Sequence, residues 1–485
     1  MRNYTPAIAA ALLTVAAFTP QATAEPVENK ETWYVVKISG APVGFAAEIR
    51  RGEAGMIVTQ SQTNLSLARM GTPMSMFMMV EEVTDADGMF VKSRMELNAS
   101  ISGMKASAVR EGDVIHHRFE SGGAVEEQEV PWEGDAVSQW RSDRMVNEWL
   151  RTDEPELTFK IYNINDAAFK SMRVVRGEKE TETIDGEART LVSVIEYEGG
   201  GDVPVSTTYF GEDYEPFRTV IAQMGMEIVI ERVTEEQMAS IELEPNFDII
   251  RQSMIRVKGY PDPASNVENV TMRLQFTHPL SKERRFDAPN QKEVQRGDDW
   301  VELLLTRDTV NRKRAKDDEQ QMFLQPNQYI QCEHPTITAL ADSIKEASGR
   351  SGWELASDIA TFVNGYIENK NFEQGFASAL EVHNTRAGDC TEHSMLLTAL
   401  LRAAGIPARP AVGLAYNNGQ FIGHMWVEAY ADHWRTLDAL DLATDPIRVR
   451  ISVPTDGKAV DERAMVKAYS VVGGMTAEVT GFNLH

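Results

Sequence analysis

Cysteine is scarce in this sequence, since only Cys332 and Cys390 occur among its 485 residues. A framework of several disulfides is therefore excluded. The two thiols could form a single bridge, or Cys390 could be a free and reactive thiol whose surroundings decide its role. Basic residues are also outnumbered, with 48 Lys and Arg against 73 Asp and Glu, and the formal net charge is −25. Because a nucleic-acid backbone repels such a surface, the composition predicts no nucleic-acid partner.

Long apolar runs are missing after the N-terminus. The chain begins with the basic stretch Met1–Asn3, continues with small and apolar residues over 7–18, and reaches an Ala-Thr-Ala cleavage pattern at 22–24. This arrangement predicts a secretory signal peptide over residues 1–24. The apolar run is too short for the roughly 30 Å hydrocarbon core of a bilayer. We therefore predict no integral membrane segment and a periplasmic or secreted protein, with a cell-envelope component as one candidate partner.

The composition is that of a globular protein, with 42% apolar and 25% charged residues, and the length allows about three domains. Alternating apolar residues and frequent turn signals predict a β-rich N-terminal domain over residues 25–242, with one helix between Asp135 and Asp153. Strand patterns between proline-rich breaks predict a small β-sandwich-like domain over residues 243–332. The pattern then changes to helical spacing, which predicts a third domain over residues 333–485.

Two features raise the question of metal binding. Met74, Met76 and Met78 alternate on a predicted strand, where thioethers could bind copper, but a soft apolar face is favoured because methionine commonly fills such gaps. Cys390 and His393 are three residues apart, but no second pair at zinc-ligand spacing occurs in the sequence. The sequence therefore predicts no metal or other cofactor, and His393 is interpreted as a supporting or surface residue.

The segment around Cys390 carries the strongest chemical signal. Gly388 and Asp389 predict a turn and a helix N-cap, and Gly405 and Pro407 predict the end of that helix. The apolar face of the helix consists of Leu396, Leu397, Leu400 and Leu401. Cys390 thus lies in the first helical turn, where backbone N–H groups and the positive end of the helix dipole favour a thiolate over a thiol. This position suits a cysteine nucleophile.

A partner base is predicted on a β-hairpin further along the chain. His424 lies in a predicted strand over 421–430, and Asp438 follows the turn. If the turn is centred on Ala431, His424 lies directly opposite Asp438, with Cβ atoms about 5 Å apart. A register change of one residue would move Asp438 to the other face. The arrangement therefore requires a loop of odd length, of three or five residues.

These three residues form a candidate Cys-His-Asp triad for acyl transfer. Cys390 would attack a carbonyl carbon, His424 would move the protons, and Asp438 would orient the imidazole. The Cys390 backbone N–H is one natural oxyanion donor. A second donor should come from upstream, and three side chains are candidates: Gln374, His383 and Asn384. Trp426 is expected to pack over the site, while Glu428 could satisfy a buried partner or be exposed.

Four blocks of this region resemble the bacterial transglutaminase-like superfamily. They are residues 388–393, residues 402–409, residues 424–428 and Asp438, and they occur in the order that the family shows. The resemblance covers roughly residues 335 to 450. It implies a papain-like α+β core, with the cysteine on a helix packed against an antiparallel sheet that carries the histidine and the aspartate. Cys390, His424 and Asp438 match the family's catalytic positions.

The resemblance does not choose a reaction, because the family contains cross-linking transferases, thiol peptidases, amidases and members without catalytic activity. The leading hypothesis is an exported cysteine-dependent enzyme that acts on peptide, isopeptide or glutamine side-chain amide bonds of a protein or peptide substrate. Hydrolysis is favoured over cross-linking, since water reaches the acyl-enzyme easily. The alternative hypothesis is a non-catalytic envelope-binding or scaffold protein with a degenerate transglutaminase-like domain.

Overall fold

The fold was analysed on a computed structural model that describes most of the chain after residue 28. The described residues are 29–484 without 54, 100–101, 122–123, 185, 200–203, 224–225, 261–266, 278, 281–283, 308, 328, 372–376, 441–447 and 454–473. The predicted signal peptide over residues 1–24 lies outside the described residues, as does Gln374.

The N-terminal half of the described chain is dominated by a sheet of fifteen strands. The strands are β1 (Lys30–Ile38), β2 (Ala41–Glu53), β3 (Met56–Arg69), β4 (Thr72–Asp85), β5 (Phe90–Ala99), β6 (Ser102–Glu111), β7 (Val114–Ser121), β8 (Ala124–Pro131), β9 (Ala136–Val137), β10 (Glu156–Asn163), β11 (Ala168–Ile184), β12 (Glu187–Glu198), β13 (Ser206–Phe210), β14 (Pro216–Gln223) and β15 (Met226–Val233). Within β1–β8 and within β10–β15, sequential neighbours pair as antiparallel hairpins, while β9 pairs in parallel with β10 and β1 pairs with β15. This confirms the predicted β-rich N-terminal region.

One helix packs on this sheet as the sequence predicts. Helix α1 (Gln139–Trp149) begins after Ser138, whose side chain accepts a hydrogen bond from the Arg141 N–H. It begins later than Asp135 because residues 136–137 form the short strand β9. Val146 and Trp149 on the buried face of α1 join an apolar cluster with residues of the sheet. Burial of this stripe holds the helix in place.

The second sheet unites the middle and the end of the described chain in nine strands. They are β16 (Ile255–Lys258), β17 (Val267–Gln275), β18 (Gln291–Arg296), β19 (Trp300–Thr306), β20 (Ala408–Asn417), β21 (Gln420–Tyr430), β22 (Trp434–Leu437), β23 (Arg448–Ser452) and β24 (Thr476–Leu484). Strand β24 lies between β16 and β17, parallel to the first and antiparallel to the second. Strands of the region predicted as a small sandwich, residues 243–332, therefore share a sheet with β24 and with strands of the C-terminal region.

Seven further helices complete the described part of the molecule. They are α2 (Glu235–Ser240), α3 (Ile249–Gln252), α4 (Asp317–Met322), α5 (Pro335–Ser348), α6 (Gly352–Tyr366), α7 (Ala379–Thr385) and α8 (Cys390–Ala403). Helices α5, α6 and α7 surround α8, which packs against β20 and β21. The result is an α+β C-terminal unit preceded by a β-rich region, as predicted. None of the helices in the described ranges is both long and apolar enough to span a bilayer.

A single apolar core joins the N-terminal sheet to the C-terminal unit. Met74, Met76 and Met78 on β4 are buried in the same cluster as Cys390 and Leu396 of α8. The alternating methionines therefore form an apolar face, as the sequence analysis favoured. Because this face is shared, the β3–β4 hairpin packs directly on the unit that carries Cys390.

The N-terminal sheet also buries a carboxyl group whose ionisation should govern stability. Burial raises the pKa of Glu196 on β12 to about 7, although the Ser206 hydroxyl donates a hydrogen bond to it at 2.9 Å. Since the folded-state pKa lies above the usual carboxyl value, the folded state binds this proton more tightly. Its contribution to stability is complete below about pH 4.5 and is lost as the pH rises through about 7.

We predict that Glu196→Gln removes this loss, because the amide keeps an acceptor for Ser206 and carries no charge. Urea unfolding at pH 5 and pH 8 should show the variant gaining roughly 3 kcal/mol relative to wild type at the higher pH. Glu198→Gln, at the exposed end of the same strand, is the control and should change this difference less, because burial is the larger cause of the raised Glu196 pKa. Equal pH dependence in wild type and Glu196→Gln would contradict the prediction.

Candidate active site

The start of α8 is built around a helix cap. The Asp389 carboxylate accepts a hydrogen bond from the Thr391 N–H at 3.0 Å, and the Glu392 carboxylate accepts one from the Asp389 N–H at 2.9 Å. This reciprocal capping box satisfies N–H groups that the first turn leaves without helical partners. Gly388 is required here because its φ is +145° and an added Cβ would overlap the Glu392 side chain. The predicted turn, cap and helix start are all confirmed.

Cys390 is the first residue of α8, and the helix is buried from Cys390 to Arg402. The Cys390 side chain forms a hydrogen bond with the ring of His424 on β21. His424 itself donates from Nε2 to Asp438 Oδ2 at 2.6 Å. All three residues are buried. The structure therefore brings Cys390, His424 and Asp438 together as one hydrogen-bonded chain.

The hairpin that carries His424 and Asp438 differs in register from the prediction. Tyr430 pairs with Trp434 and Val427 with Leu437, so the turn is centred on Asp432 rather than Ala431. The Asp432 carboxylate accepts hydrogen bonds from side chains on the C-terminal side of the turn, those of His433 and Arg435. The loop spans three residues between the paired strands, as the sequence analysis required.

The register error changes the geometry of the His424–Asp438 contact without breaking it. With the turn centred on Asp432, Asp438 lies opposite Trp426 and diagonal to His424, just beyond the end of β22. A shift of two residues keeps both side chains on the same face of the hairpin. Diagonal neighbours on one face remain within reach of each other.

The electrostatics of the pair favour a protonated imidazole. Burial lowers the pKa of His424, but the charge and hydrogen bond of Asp438 and the contact with Cys390 raise it to about 9. For the thiol, burial and the neighbouring Asp389 carboxylate raise the pKa of Cys390, while the hydrogen bond and charge of His424 lower it. At neutral pH the ring of His424 is therefore positively charged and stabilises a negative charge on the sulfur.

Asp438 is held from three sides. Besides His424, its Oδ2 accepts a hydrogen bond from Arg448 at 2.7 Å, and its Oδ1 accepts one from the Leu440 N–H at 2.9 Å. Arg448 comes from β23, which pairs with β20. Arg448 is not predicted from the sequence, because no local pattern links a strand ten residues downstream to the hairpin. Arg448 fixes the carboxylate that orients the imidazole.

Glu428 forms a second buried charge cluster behind the site. It accepts hydrogen bonds from Arg409 at 2.9 Å and from Arg450 at 3.1 Å. Burial raises the pKa of Glu428, but the two guanidinium groups outweigh it and hold that pKa below its usual value. Arg409 also stacks over the Trp434 ring, 4.1 Å from its centroid. Of the two interpretations of Glu428, the buried one is correct.

His393 and Trp426 support the site from close by. His393 is buried, and its Nδ1 donates to the Asp389 carbonyl oxygen at 2.7 Å, which ties its ring to the start of α8. Trp426 is buried too, and its ring stacks against His424 with centroids 6.0 Å apart. Trp426 thus packs over the candidate base as predicted.

The other candidates are placed less favourably. His383 bonds the Tyr366 hydroxyl at 3.0 Å through Nδ1 and stacks on the Tyr366 ring, and Asn384 is exposed. Gln374 lies outside the described residues. Cys332 and Cys390 are both free thiols, so the bridge considered for them is not formed. Cys332 lies elsewhere in the core, where its thiol contacts the Leu324 carbonyl oxygen.

Comparison with known proteins assigns this region to a family. Residues 338–439 match the model of the transglutaminase-like superfamily. The C-terminal region contains a transglutaminase-like domain. The matched segment spans α8, β20 and the hairpin of β21 and β22 and ends one residue after Asp438, so it includes all three residues of the hydrogen-bonded chain. No curated protein matches the chain.

Solved structures similar to the chain cover parts of it at low identity. A cysteine protease candidate from Cytophaga hutchinsonii is 20% identical, covers 45% of this chain and 87% of its own, and has a TM-score of 0.27. The periplasmic domain of TgpA from Pseudomonas aeruginosa is 17% identical, with coverages of 39% and 89% and a TM-score of 0.29. A β-barrel-like protein of unknown function from Brucella abortus is 10% identical, with coverages of 43% and 98% and a TM-score of 0.34.

The Glu428 cluster yields a stability prediction. Glu428→Gln removes the negative charge and leaves two partly buried guanidinium groups beside a neutral amide, so we expect a loss of about 3 kcal/mol in the free energy of unfolding. Glu319→Gln is the matched control, because Glu319 also contacts Arg409, at 3.6 Å, but is partly exposed. The control should cost less than about 1 kcal/mol. Urea titration of both variants measures the difference, and losses of equal size would contradict the assignment.

Proposed function

We propose that the C-terminal region is a cysteine-dependent acyl-transfer enzyme with Cys390 as nucleophile, His424 as acid and base, and Asp438 as the group that orients His424. The single observation that carries this proposal is the buried hydrogen-bonded chain from the Cys390 thiol through His424 to Asp438. The transglutaminase-like family match over the same residues supports it. Such a chain supplies a nucleophile, a base and a group that orients the base, which is the arrangement acyl transfer requires.

The charge state of the pair fits the first chemical step. Because the pKa of His424 is raised to about 9, the imidazolium is populated at neutral pH next to the sulfur. The Cys390 thiolate attacks the carbonyl carbon of an amide and forms a C–S bond. As the C–N bond breaks, His424 transfers its proton to the leaving amine. The acyl group remains on the sulfur as a thioester, and His424 is left neutral.

In the second step the neutral His424 removes a proton from an incoming nucleophile, which attacks the thioester carbonyl and releases the sulfur as a thiolate. With water the product is an acid, and with an amine it is a new amide bond. We propose hydrolysis of peptide, isopeptide or glutamine side-chain amides, because water reaches the acyl-enzyme without a dedicated binding site. The Cys390 backbone N–H, in the first turn of α8, is the proposed oxyanion donor.

The compartment follows from the sequence. The basic start, the short apolar run and the Ala-Thr-Ala pattern at residues 22–24 support export of the protein, and we propose that it acts in the periplasm or outside the cell on protein or peptide substrates. A cell-envelope component is the candidate partner there.

Substitution of the nucleophile tests the proposal. Cys390→Ser should lower turnover by at least about 1,000-fold, because a serine hydroxyl has no comparable fraction of the reactive anion. The measurement is capture of the acyl-enzyme from a library of peptides and amines, read by intact-protein mass spectrometry. Cys332→Ala, at the other buried thiol, is the control and should form the same adduct.

The outcomes separate the proposal from a scaffold role. Full turnover in Cys390→Ser would sink the enzymatic assignment. An absence of any adduct in wild type, together with a Cys390 thiol that resists alkylation across the pH range, would favour the non-catalytic alternative.

Asp438 provides a second test through the ionisation of the pair. Asp438→Asn removes the charge that raises the pKa of His424, so the imidazolium is lost at a lower pH and the thiolate loses its partner. We expect the alkylation rate of Cys390 at pH 6 to fall by about tenfold or more. Asp432→Asn, at the turn of the same hairpin, is the control and should leave the rate within about twofold. Equal rates in both variants would exclude this role for Asp438.

A further inference from the structure

Arg69 from the N-terminal sheet reaches the start of α8. It is the last residue of β3 and is fully buried. Its Nη2 donates to Asp389 Oδ2 at 3.1 Å, across a separation of 320 residues. Asp389 is the N-cap of the helix that begins with Cys390. A buried ion pair thus links a hairpin of the N-terminal region to the residue next to the proposed nucleophile.

The position of Arg69 is fixed by its backbone. Arg69 pairs with Thr72 across a two-residue turn in which Met70 and Gly71 both have positive φ, of 48° and 84°. That conformation is the one that closes tight β-hairpins. The N–H groups of Met70 and Gly71 donate to the two carboxylate oxygens of Asp248, at 3.1 Å and 2.9 Å. These hydrogen bonds hold the turn against Asp248, in the C-terminal half of the chain. They thereby fix the backbone from which the Arg69 side chain reaches Asp389.

The Asp389 carboxylate has two opposite effects on the site. As an N-cap it satisfies the Thr391 N–H and holds the first turn of α8 in place. As a negative charge beside Cys390 it raises the pKa of the thiol and works against the thiolate. The Arg69 guanidinium neutralises this charge without removing the cap. Burial lowers the pKa of Arg69, but Asp389, Glu392 and Cys390 all counter that effect, which places the cation within electrostatic reach of the sulfur.

Several other ionisable groups lie around the start of α8, and Lys370 acts on His393 from the loop after α6. These groups are Asp389, Glu392 and His393 at the start of α8, His424 on β21, Asp438 after β22, Arg448 on β23 and Arg69 on β3. Asp438 is matched by His424 and Arg448, whereas the cationic side chain bonded to Asp389 is Arg69. Arg69 is thus the residue that balances the charge next to the sulfur.

We propose that Arg69 is a positioning residue for the proposed nucleophile, acting through Asp389, so that the N-terminal β-sheet completes the acyl-transfer centre of the C-terminal domain. This inference rests on the proposed function. It assigns the N-terminal region a part in the chemistry, because the cation comes from that region. An uncompensated Asp389 carboxylate would repel the thiolate and so raise the pKa of the thiol.

The test measures the pH dependence of Cys390 alkylation by iodoacetamide in the full chain, with Cys332→Ala as the parent so that one thiol reacts. Arg69→Met should raise the midpoint of the profile by about one pH unit, which slows labelling at pH 6 by about tenfold. Arg69→Lys keeps the charge and should restore most of the parent rate. A residue that served only to hold two regions together would not move the midpoint.

Asp389→Asn tests the same coupling from the other side. Asparagine keeps the cap and removes the negative charge, so the midpoint should fall below that of the parent. In the double variant Arg69→Met/Asp389→Asn both charges are gone, and the midpoint should return to within about half a unit of the parent. If Arg69→Met does not fold, as judged by circular dichroism, the double variant decides, since it removes both members of the buried ion pair and leaves neither charge without its partner.

Two failures are distinguishable. If the parent labels with an ordinary thiol midpoint near pH 8.5, the proposed function fails and this inference falls with it. If the parent midpoint is depressed but the folded Arg69→Met variant matches it, the role of Arg69 alone is overturned. The same conclusion holds if the double variant keeps the lowered midpoint of Asp389→Asn instead of returning to that of the parent.

Discussion

The capped first turn of α8 is buried, and this burial determines which charged groups must lie around the site. The first turn of a helix leaves N–H groups without partners, and here water cannot satisfy them because residues 388–394 are all buried. The Asp389–Glu392 capping box satisfies N–H groups of this turn, and Gly388 leaves the space that the Glu392 side chain requires. The cap places the Asp389 carboxylate next to Cys390. Because both residues are buried, the negative charge of Asp389 must be balanced by side chains of the surrounding elements.

Charge balance explains how the distant strands meet at the site. Four buried carboxylates lie in this region. Glu392 accepts hydrogen bonds from the backbone N–H groups of Asp389 and Ala377, and in the described structure each of the other three is paired with arginine from another element. Asp389 is bonded to Arg69 of β3, and Asp438 to Arg448 of β23. Glu428 is bonded by arginines of the two strands β20 and β23. Without their arginine partners these three carboxylates would become protonated or destabilise the fold. His424 shares Asp438 with Arg448 and still keeps a raised pKa, because the site offers it both a carboxylate and the sulfur.

Local signals were sufficient to predict the parts of the site that neighbour each other in sequence. The turn, cap and helix around Cys390 follow from backbone chemistry that short-range patterns report. Arg69 and Arg448 could not be found this way, since each reaches the site through strand pairing that the sequence does not specify locally. The same reason explains why the expected sandwich over residues 243–332 did not include a strand from the end of the chain. Strand β24 joins its sheet from the far end of the chain, and non-local pairing of this kind leaves no periodic trace.

The hairpin shows which property of a sheet a sequence can determine. The predicted pairing of His424 with Asp438 was displaced by two residues, because Asp432 forms the centre of the turn. A sheet alternates its faces with a period of two, so a displacement by two preserves the face of every side chain. His424 and Asp438 still meet, at 2.6 Å. A loop with an odd number of residues therefore keeps His424 and Asp438 on the same face of the hairpin. On that face, a displacement by two residues still leaves them within reach of each other.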